Sequence, residues 1–340
     1  MTATVSTPAE QQRQPEPPRP NPVLDWFKGQ YALYILVVLL IIASVSSDAF
    51  LTRTNLTNLL LQMSIIGVVV MAQLIVVLTG GIDISVGAAL GLAAVLCAGL
   101  FGGPSTWLAL GVAIAVGIGV GAVNGFLVAF RGLEPFIVTL GMLALARGLV
   151  YAYGEGIPVQ PEAAAAFADI GQTTVLGIPV LALIWIGVVL AITFLLYRTV
   201  WGRRVYAIGS NVEAARSSGI PVRSTLWSVY ILAGLLVGLG GWMFICRFAS
   251  GTALAGNLME LEAIAAVVIG GARLSGGYGK VFGAVVGTII FQVIANLLSL
   301  LNVSTFLQDA FRGALILLAV TLATVQITRR RTASTQPATK

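Results

Sequence analysis

Long apolar segments separated by short polar ones make up most of the chain. A helix needs about 20 apolar residues to cross the ~30 Å hydrocarbon core of a bilayer. The pattern therefore predicts an all-α membrane protein with about ten transmembrane helices. The segment 261–275 is short for a span and is expected to be a half-helix or re-entrant piece. The first segment starts at Tyr31, and the others are approximately 57–79, 85–102, 106–130, 135–153, 179–197, 225–246, 261–275, 279–300 and 306–326.

Composition supports a membrane protein and excludes several chemistries. Hydrophobic residues occupy 58% of the 340 positions and charged residues only 9%, whereas soluble domains average about 25% charged residues. The sequence has no histidine and only two cysteines, Cys97 and Cys246. Histidine-based triads, histidine-ligated zinc or haem and a disulfide framework are therefore excluded. We expect no catalytic residue, no cofactor and no metal site in this chain.

The two ends of the chain differ from the membrane domain, which is predicted at residues 29–327. Residues 1–28 are rich in proline, glutamine and charge, which predicts a disordered tail. A cleaved signal peptide fits this end poorly, because the stretch before the first apolar segment is long and has no net positive charge. Residues 328–340 are predicted to form a basic tail.

Loop charges predict the orientation of the helices. The connection 198–223 carries five arginines and one acid, Glu213, whereas the connection 154–178 carries three acids and no lysine or arginine. Because short cytoplasmic loops are enriched in lysine and arginine, the first connection is predicted to be cytoplasmic and the second external. With ten spans both tails are cytoplasmic. Membrane orientation thus explains the net charge of +6 better than nucleic-acid binding does.

An eight-residue pattern occurs twice. Residues 80–87 and 270–277 both follow Gly-Gly-x-x-(Ile/Leu)-Ser-x-Gly, which places Ser85 and Ser275 at matching positions. Many transporters are built from repeats whose broken helices meet at the transport pathway, so the pattern predicts a glycine-rich internal repeat. Chance similarity in a chain rich in glycine and serine is the alternative. With ten spans the repeat is parallel, and one span more or fewer would make it inverted.

The connection between the sixth and seventh spans contains more than a turn. Asn211 is a good helix cap, the run from Glu213 to Arg216 favours helix, and Gly219 ends it. This pattern predicts a short helix outside the membrane whose small residues seat in a groove of a cytoplasmic partner. A basic loop that only sets topology is the alternative. The candidate docking residues are Arg204, Asn211, Glu213, Ala214, Ala215, Arg216 and Gly219.

Two charged residues are candidates for function, one inside an apolar segment and one in the short connection between two such segments. A cation at the depth of Arg147 costs about 3 kcal/mol on insertion scales. It is therefore expected either to line a pathway or gate, or to snorkel to the outer interface. Asp83 is expected either to cap a helix that begins near Ser85 or to bind a coupling cation.

Other polar and small residues in the apolar segments are expected to join helices. Amide side chains inside a membrane more often link helices than bind substrate. These amides are Gln62, Gln73, Gln292 and Asn296. Small residues spaced by four form a flat ridge for close helix packing. This ridge is Ala113, Gly117, Gly121 and Gly125.

The loop helix and three further segments resemble a known family. The pattern Glu213-Ala-Ala-x-x-x-Gly219 is similar to the EAA loop of ABC-importer permeases, although the Ile-x-Leu-Pro of the longer motif is absent. The resemblance to the ribose, xylose and galactose permeases covers roughly residues 30–325. Glu262 departs from that family, which carries aspartate there. The segments that resemble these permeases, in consistent order, are 78–87, 135–141 and 260–271.

The resemblance implies the membrane-spanning subunit of an ABC importer for a monosaccharide or related polyol, in the bacterial inner membrane. It implies a second permease subunit, identical or related, cytoplasmic ATPase subunits that contact the Glu213 loop, and an extracytoplasmic sugar-binding protein. ATP binding by this chain itself is not expected, because Gly279-Lys280 lacks the first glycine and the hydroxyl residue of a P-loop. The candidate pathway or gate residues are Asp83, Ser85, Arg147, Glu262 and Ser275.

Two other functions stay open on the sequence alone. An ion-coupled secondary sugar transporter carries its own coupling site, for which Asp83 is the best candidate. A structural or receptor-like membrane subunit has no pathway at all. Uptake that needs ATP and survives collapse of the ion gradients would separate the importer from the first of these.

Overall fold

The computed structural model describes residues 31–101, 103, 105–315, 317 and 321. The tails predicted at residues 1–28 and 328–340 lie outside the described residues. Residues 305–315 are also helical and are referred to below as the 305–315 helix. The other helices are α1 (Tyr31–Ser46), α2 (Arg53–Leu78), α3 (Val86–Phe101), α4 (Thr106–Ala129), α5 (Pro135–Gly154), α6 (Ala164–Gln172), α7 (Val180–Arg198), α8 (Val200–Ser210), α9 (Val212–Ser217), α10 (Val222–Phe248), α11 (Met259–Ile269) and α12 (Val281–Leu300).

Over the residues that the structure describes, the fold is helical apart from loops and one short hairpin between α6 and α7. Strands β1 (Thr174–Val175) and β2 (Ile178–Pro179) pair antiparallel. The two residues between them, Leu176 and Gly177, both have positive φ, as a tight two-residue turn requires. The predicted all-α membrane class is therefore confirmed.

Helix length separates six helices from the rest. Within the described residues, α2, α4, α5, α7, α10 and α12 are long and apolar enough to cross a membrane. Helices α1 and α3 are apolar but only 16 residues long. Helix α11 has 11 residues, a rise of about 16 Å against a ~30 Å core. Six helices meet the length criterion where the sequence predicts ten, so the count of ten stays a prediction.

The two longest spans form the centre of the molecule. In their most apolar stretches, α2 is 89% buried and α10 is 72% buried. Helix α10 packs on α4 at very short range, because a Cβ atom on Gly117 or Gly121 would overlap the carbonyl oxygen of Gly234 or Tyr230. The predicted ridge on α4 is therefore confirmed as a packing surface, and it faces α10.

Side-chain amides link the ends of two spans. Asn55 in α2 and Asn296 in α12 form a reciprocal pair, in which each Nδ2 donates to the other Oδ1 at 3.0 and 2.8 Å. This confirms the expected linking role for Asn296. The expectation is wrong for Gln73, whose amide is buried in α2 without a hydrogen-bond partner in the described part of the chain.

Candidate functional site

Helix α9 is a short capped helix outside the spanning helices. The Oδ1 atom of Asn211 accepts a hydrogen bond from the N–H of Ala214 at 3.0 Å. After the last turn, Gly219 takes a positive φ of 76°, which favours glycine. The cap and stop signals that the sequence carries therefore set the bounds of α9.

One side of α9 is exposed to solvent and carries two charged residues. Glu213 and Arg216 form an ion pair at 3.0 Å, and their side chains are 73% and 62% exposed. An exposed pair one turn apart adds only about 0.3–0.5 kcal/mol to a helix. Because the pair stabilises so little, both charges are available to a partner at little cost.

The other side of α9 packs on its own chain. Ala215 is buried in a cluster with Ile208 of α8 and Val222 of α10. The expectation that Ala215 seats in a groove of a partner is therefore wrong, because the periodicity of a short helix turns this side chain inward. Ala214 is exposed, as are Asn211 and Gly219.

Helix α8 carries Arg204 and the half-buried phenol of Tyr206. Arg204 is half-buried on α8. The hydroxyl of Tyr206 donates to the carbonyl oxygen of Gly279 at 2.8 Å. Desolvation raises the pKa of Tyr206; a phenol already keeps its proton at neutral pH at its ordinary pKa of about 10, so Tyr206 remains a donor. Helix α8 is thus joined to the loop that precedes α12.

Asp83 lies in a buried network at the start of α3. Its Oδ1 accepts from the backbone N–H of Ser85 at 2.8 Å and from the Ser85 hydroxyl at 2.6 Å. The side chain of Asn124 in α4 donates to the same hydroxyl at 2.9 Å. The bond from the N–H two residues on is that of an Asx turn, which holds the chain just before α3 begins. The part of the chain that the structure describes contains no group of three or more His, Cys, Asp or Glu residues that could hold a metal ion.

Asn124 and Thr139 belong to the same polar region, and the sequence interpretation missed both. Thr139 accepts a hydrogen bond from the N–H of Ile84 at 3.3 Å and donates back to its own helix. Asn124 stands in the apolar segment 106–130 beside Gly125. A polar amide within an apolar segment was the available signal, and the small-residue ridge beside it obscured that signal.

Arg147 fixes the connection between α10 and α11. Its Nη1 donates to the carbonyl oxygens of Ala253 and Ala255 at 2.6 and 3.0 Å. This connection, residues 249–258, runs along α3, where a Cβ atom on Gly91 would lie 2.7 Å from the Ala255 carbonyl oxygen. Half-buried Arg147 therefore donates to two backbone carbonyls of its own chain, which ties α5 to this connection.

Glu262 pairs with a cation that the sequence interpretation missed. Its Oε1 lies 3.1 Å from Nε of Arg312 on the 305–315 helix, and the Glu262 side chain is only 9% exposed. Arg312 also pairs with Asp309 at 3.1 Å. A single arginine within the predicted apolar segment 306–326 was the signal for this pair.

The candidate pathway residues do not form one cluster. Asp83 and Ser85 are joined directly, whereas Arg147 and Glu262 each bind other partners. Ser275 is exposed, although its counterpart Ser85 is buried. The two copies of the repeated pattern nonetheless meet, because a Cβ atom on Gly276 would lie 2.7 Å from the nitrogen of Gly80.

Two surface cavities lie at opposite ends of α4 and α5. One, of about 280 Å³, lies beside α9 and is lined in part by Arg131, Arg216 and Arg223. The other, of about 710 Å³, is lined in part by Tyr153, Gln160 and two acids, Glu155 and Glu162. The cavity beside α9 is thus basic, and the one at the far end is acidic.

Comparison with known proteins places the chain in a family. Residues 55–320 match the family described as "Branched-chain amino acid transport system / permease component". The ribose import permease protein of Escherichia coli strain K12 is 40% identical over 301 residues, covering 87% of this chain and 93% of the relative. The corresponding protein of Bacillus subtilis strain 168 is 41% identical over 289 residues, covering 84% and 90%.

A third relative is the xylose transport system permease protein of Escherichia coli strain K12. It is 36% identical over 351 residues, covering 84% of this chain and 88% of the relative. No solved structure matches the chain. The matched family and these relatives are transport permeases and not enzymes. The chain therefore belongs to this family of transport-system permease components.

Proposed function

We propose that this chain is the membrane-spanning permease subunit of an ATP-driven ABC importer that moves a monosaccharide or related polyol into the cell. The observation that carries the proposal is α9, a capped and exposed helix that lies outside the spanning helices. The ribose and xylose permeases among the relatives support a sugar as the substrate class. The chain itself catalyses no covalent step.

The ATPase subunits dock on α9. An ATPase can move the permease only if it grips the conformations of the permease unequally, so α9 has to transmit displacement without deforming. The Asn211 cap and the packing of Ala215 on Ile208 and Val222 support this stiffness. The docking residues proposed here are Arg204, Asn211, Glu213, Ala214, Arg216 and Gly219.

The sugar-binding protein docks at the opposite end of the molecule. The cavity that contains Glu155 and Glu162 lies at the far end of α4 and α5 from α9. Its acidic lining complements a basic docking face, since opposite charges steer encounter and fix orientation. Sugar released there enters a pathway that two permease subunits, identical or related, share.

Placing α9 in the cytoplasm also fixes the side of the membrane on which the other loops and both tails lie. With α9 in the cytoplasm, both tails are cytoplasmic and the cavity of about 710 Å³ is external. Helices α1, α3 and α11 and the segment 306–326 complete ten spanning or partly spanning elements in the bacterial inner membrane. The repeated patterns at 80–87 and 270–277 then lie on the cytoplasmic side and form a parallel repeat.

The buried polar residues shape the pathway and its gate. Asp83 and Ser85 set the start of α3, Arg147 holds the connection 249–258, and Glu262 holds the 305–315 helix. Each acts on an element whose end lies within the membrane. Ser275 is exposed in the second copy of the pattern and is accessible to solute or to the partner permease.

The ion-coupled transporter is the weaker proposal. Asp83, its best candidate for a cation ligand, already accepts two hydrogen bonds from Ser85. A coupling cation would have to compete with both of these bonds. The ribose import permeases among the relatives also favour the importer.

Uptake into proteoliposomes tests the proposal. The permease is reconstituted with the ATPase and sugar-binding subunits, and radiolabelled ribose is supplied with the binding protein. The expected result is uptake that needs ATP on the side of the membrane that carries the ATPase subunits. This uptake persists when ionophores collapse all ion gradients. Uptake that needs a gradient and ignores ATP would overturn the importer in favour of the ion-coupled transporter.

A further inference from the structure

Three separate parts of the chain meet immediately before α9. The end of α8, the turn after α2 and the loop between α11 and α12 contact one another through backbone atoms. We call this contact the glycine junction. It is formed by Leu78, Gly80, Gly209, Gly276 and Gly277.

At Gly209 and Gly276 the junction leaves no room for a side chain. The N–H of Gly277 donates to the carbonyl oxygen of Leu78 at 3.0 Å. A Cβ atom on Gly209 would overlap that same carbonyl oxygen and lie 2.5 Å from the Gly277 nitrogen. A Cβ atom on Gly276 would lie 2.7 Å from the Gly80 nitrogen and 2.9 Å from the Gly209 oxygen.

Backbone contact makes the junction stiff. Side chains can absorb a small displacement by changing rotamer, but backbone atoms in contact cannot, and close-packed interiors transmit strain. A shift of Gly209 must therefore move the end of α2 or the loop that contains Gly276. The hydrogen bond from Tyr206 to Gly279 lies on the same face of α8, one turn earlier, and adds a second connection to that loop.

The junction lies between α9 and the core of the molecule. Gly209 precedes the cap of α9, Asn211, by two residues. Leu78 is the last residue of α2, the most buried of the six spans. Gly276 and Gly277 lead into α12. The two copies of the repeated pattern thus supply two of the three chain segments at the junction.

We infer that the glycine junction carries displacement of α9 into α2 and into the loop before α12, which makes Gly209 and Gly276 positioning residues for transport. This inference rests on the proposed docking of the ATPase on α9. It also gives the glycines of the pattern a role: Gly276 and Gly277 let the loop before α12 reach α8, and Gly80 lets the turn after α2 approach Gly276. Neither residue contacts solute.

Gly209→Ala tests the inference in the complete transporter. At a helical position with open space around it, alanine stabilises the helix more than glycine does. Without the junction this change would therefore be harmless to α8. The matched control is Gly187→Ala in α7, where no heavy atom lies within 4 Å of the added Cβ. Three quantities are measured: ATPase retained on the purified permease, ATP hydrolysis stimulated by ribose-loaded binding protein, and ribose uptake.

We expect Gly209→Ala to retain the ATPase normally but to reduce ribose uptake and stimulated ATP hydrolysis about tenfold. A tenfold effect lies within the usual range of coupling between two sites. Uptake and stimulation equal to those of Gly187→Ala would overturn the inference. If Gly209→Ala does not reach the membrane, Tyr206→Phe decides: the inference expects reduced uptake with normal ATPase retention, and unchanged uptake overturns it. Failure of the wild-type permease to retain an ATPase would instead overturn the proposed function.

Discussion

Glu262 in α11 and Arg312 in the 305–315 helix form an ion pair in which the Oε1 and Nε atoms lie 3.1 Å apart. The pair joins a helix too short to span the membrane to the last helical segment that the structure describes. Both side chains are less than one-third exposed. Removing one partner leaves a charge in a poorly solvated place, which typically costs about 3–5 kcal/mol.

This relationship predicts a specific pattern of stability. Arg312→Ala is expected to lower the thermal midpoint of the purified permease clearly more than Asp309→Asn, because Asp309 is 51% exposed and exposed pairs stabilise by about 1 kcal/mol or less. The double variant Glu262→Gln/Arg312→Ala is expected to lose less stability than the sum of its single variants. Strict additivity of the two single variants would show that Glu262 and Arg312 do not depend on each other.

The network at Asp83 predicts different outcomes for two substitutions. Asn at position 83 keeps an Oδ1 acceptor for the two bonds from Ser85, whereas Ala removes it. We therefore expect Asp83→Asn to retain most uptake and Asp83→Ala to lose it, with about 1 kcal/mol of stability lost for each hydrogen bond removed. Uptake and thermal midpoint are measured on the same preparations. Loss of uptake in Asp83→Asn with unchanged stability would contradict a purely structural role for these bonds and favour a cation ligand.

The contacts of Arg147 predict a local effect on the connection 249–258. Arg147→Ala removes two charge-assisted hydrogen bonds to backbone carbonyls, each worth about 1.5–3 kcal/mol. We expect faster hydrogen–deuterium exchange across 249–258 and impaired uptake, while the amount of protein in the membrane stays near the wild-type level. The matched comparison is Arg131→Ala, which removes an exposed arginine at the other end of α5.

The same measurements separate two roles for Arg147, one in membrane insertion and one in transport. Collapse of the membrane-inserted amount with no change in exchange across 249–258 would assign Arg147 to insertion and not to transport. Exchange that rises equally in distant helices would indicate global destabilisation.

Some of the site could be predicted from local sequence, because local chemistry decides it. The cap at Asn211 and the stop at Gly219 lie within one short segment, so α9 was predictable. The ridge with Gly117 and Gly121 was predictable for the same reason, since a spacing of four places small residues on one face of a helix.

Other features depend on which distant segments meet. Arg312 lies far along the chain from Glu262, and Gly209 is distant in sequence from both Leu78 and Gly277. Hydropathy gives the apolar character of a segment but not its partner. Ala215 illustrates a smaller limit: composition predicts the helix, but the face that packs on Ile208 depends on how α8 enters α9.

Charge reversal on α9 tests whether an ATPase drives the permease through this helix. Glu213→Lys places a cation beside Arg216 and reverses the charge that the proposed ATPase contact meets. The matched control is Asp48→Lys, the same charge change at an exposed position before α2, at the opposite end from α9. ATPase retention on the purified permease and ATP-driven ribose uptake are measured together.

We expect Glu213→Lys to reach the membrane in normal amount but to lose ATPase retention and uptake by about tenfold or more, whereas Asp48→Lys retains the ATPase. Full ATPase retention and uptake by Glu213→Lys would contradict the claim that α9 is the helix through which an ATPase drives this permease.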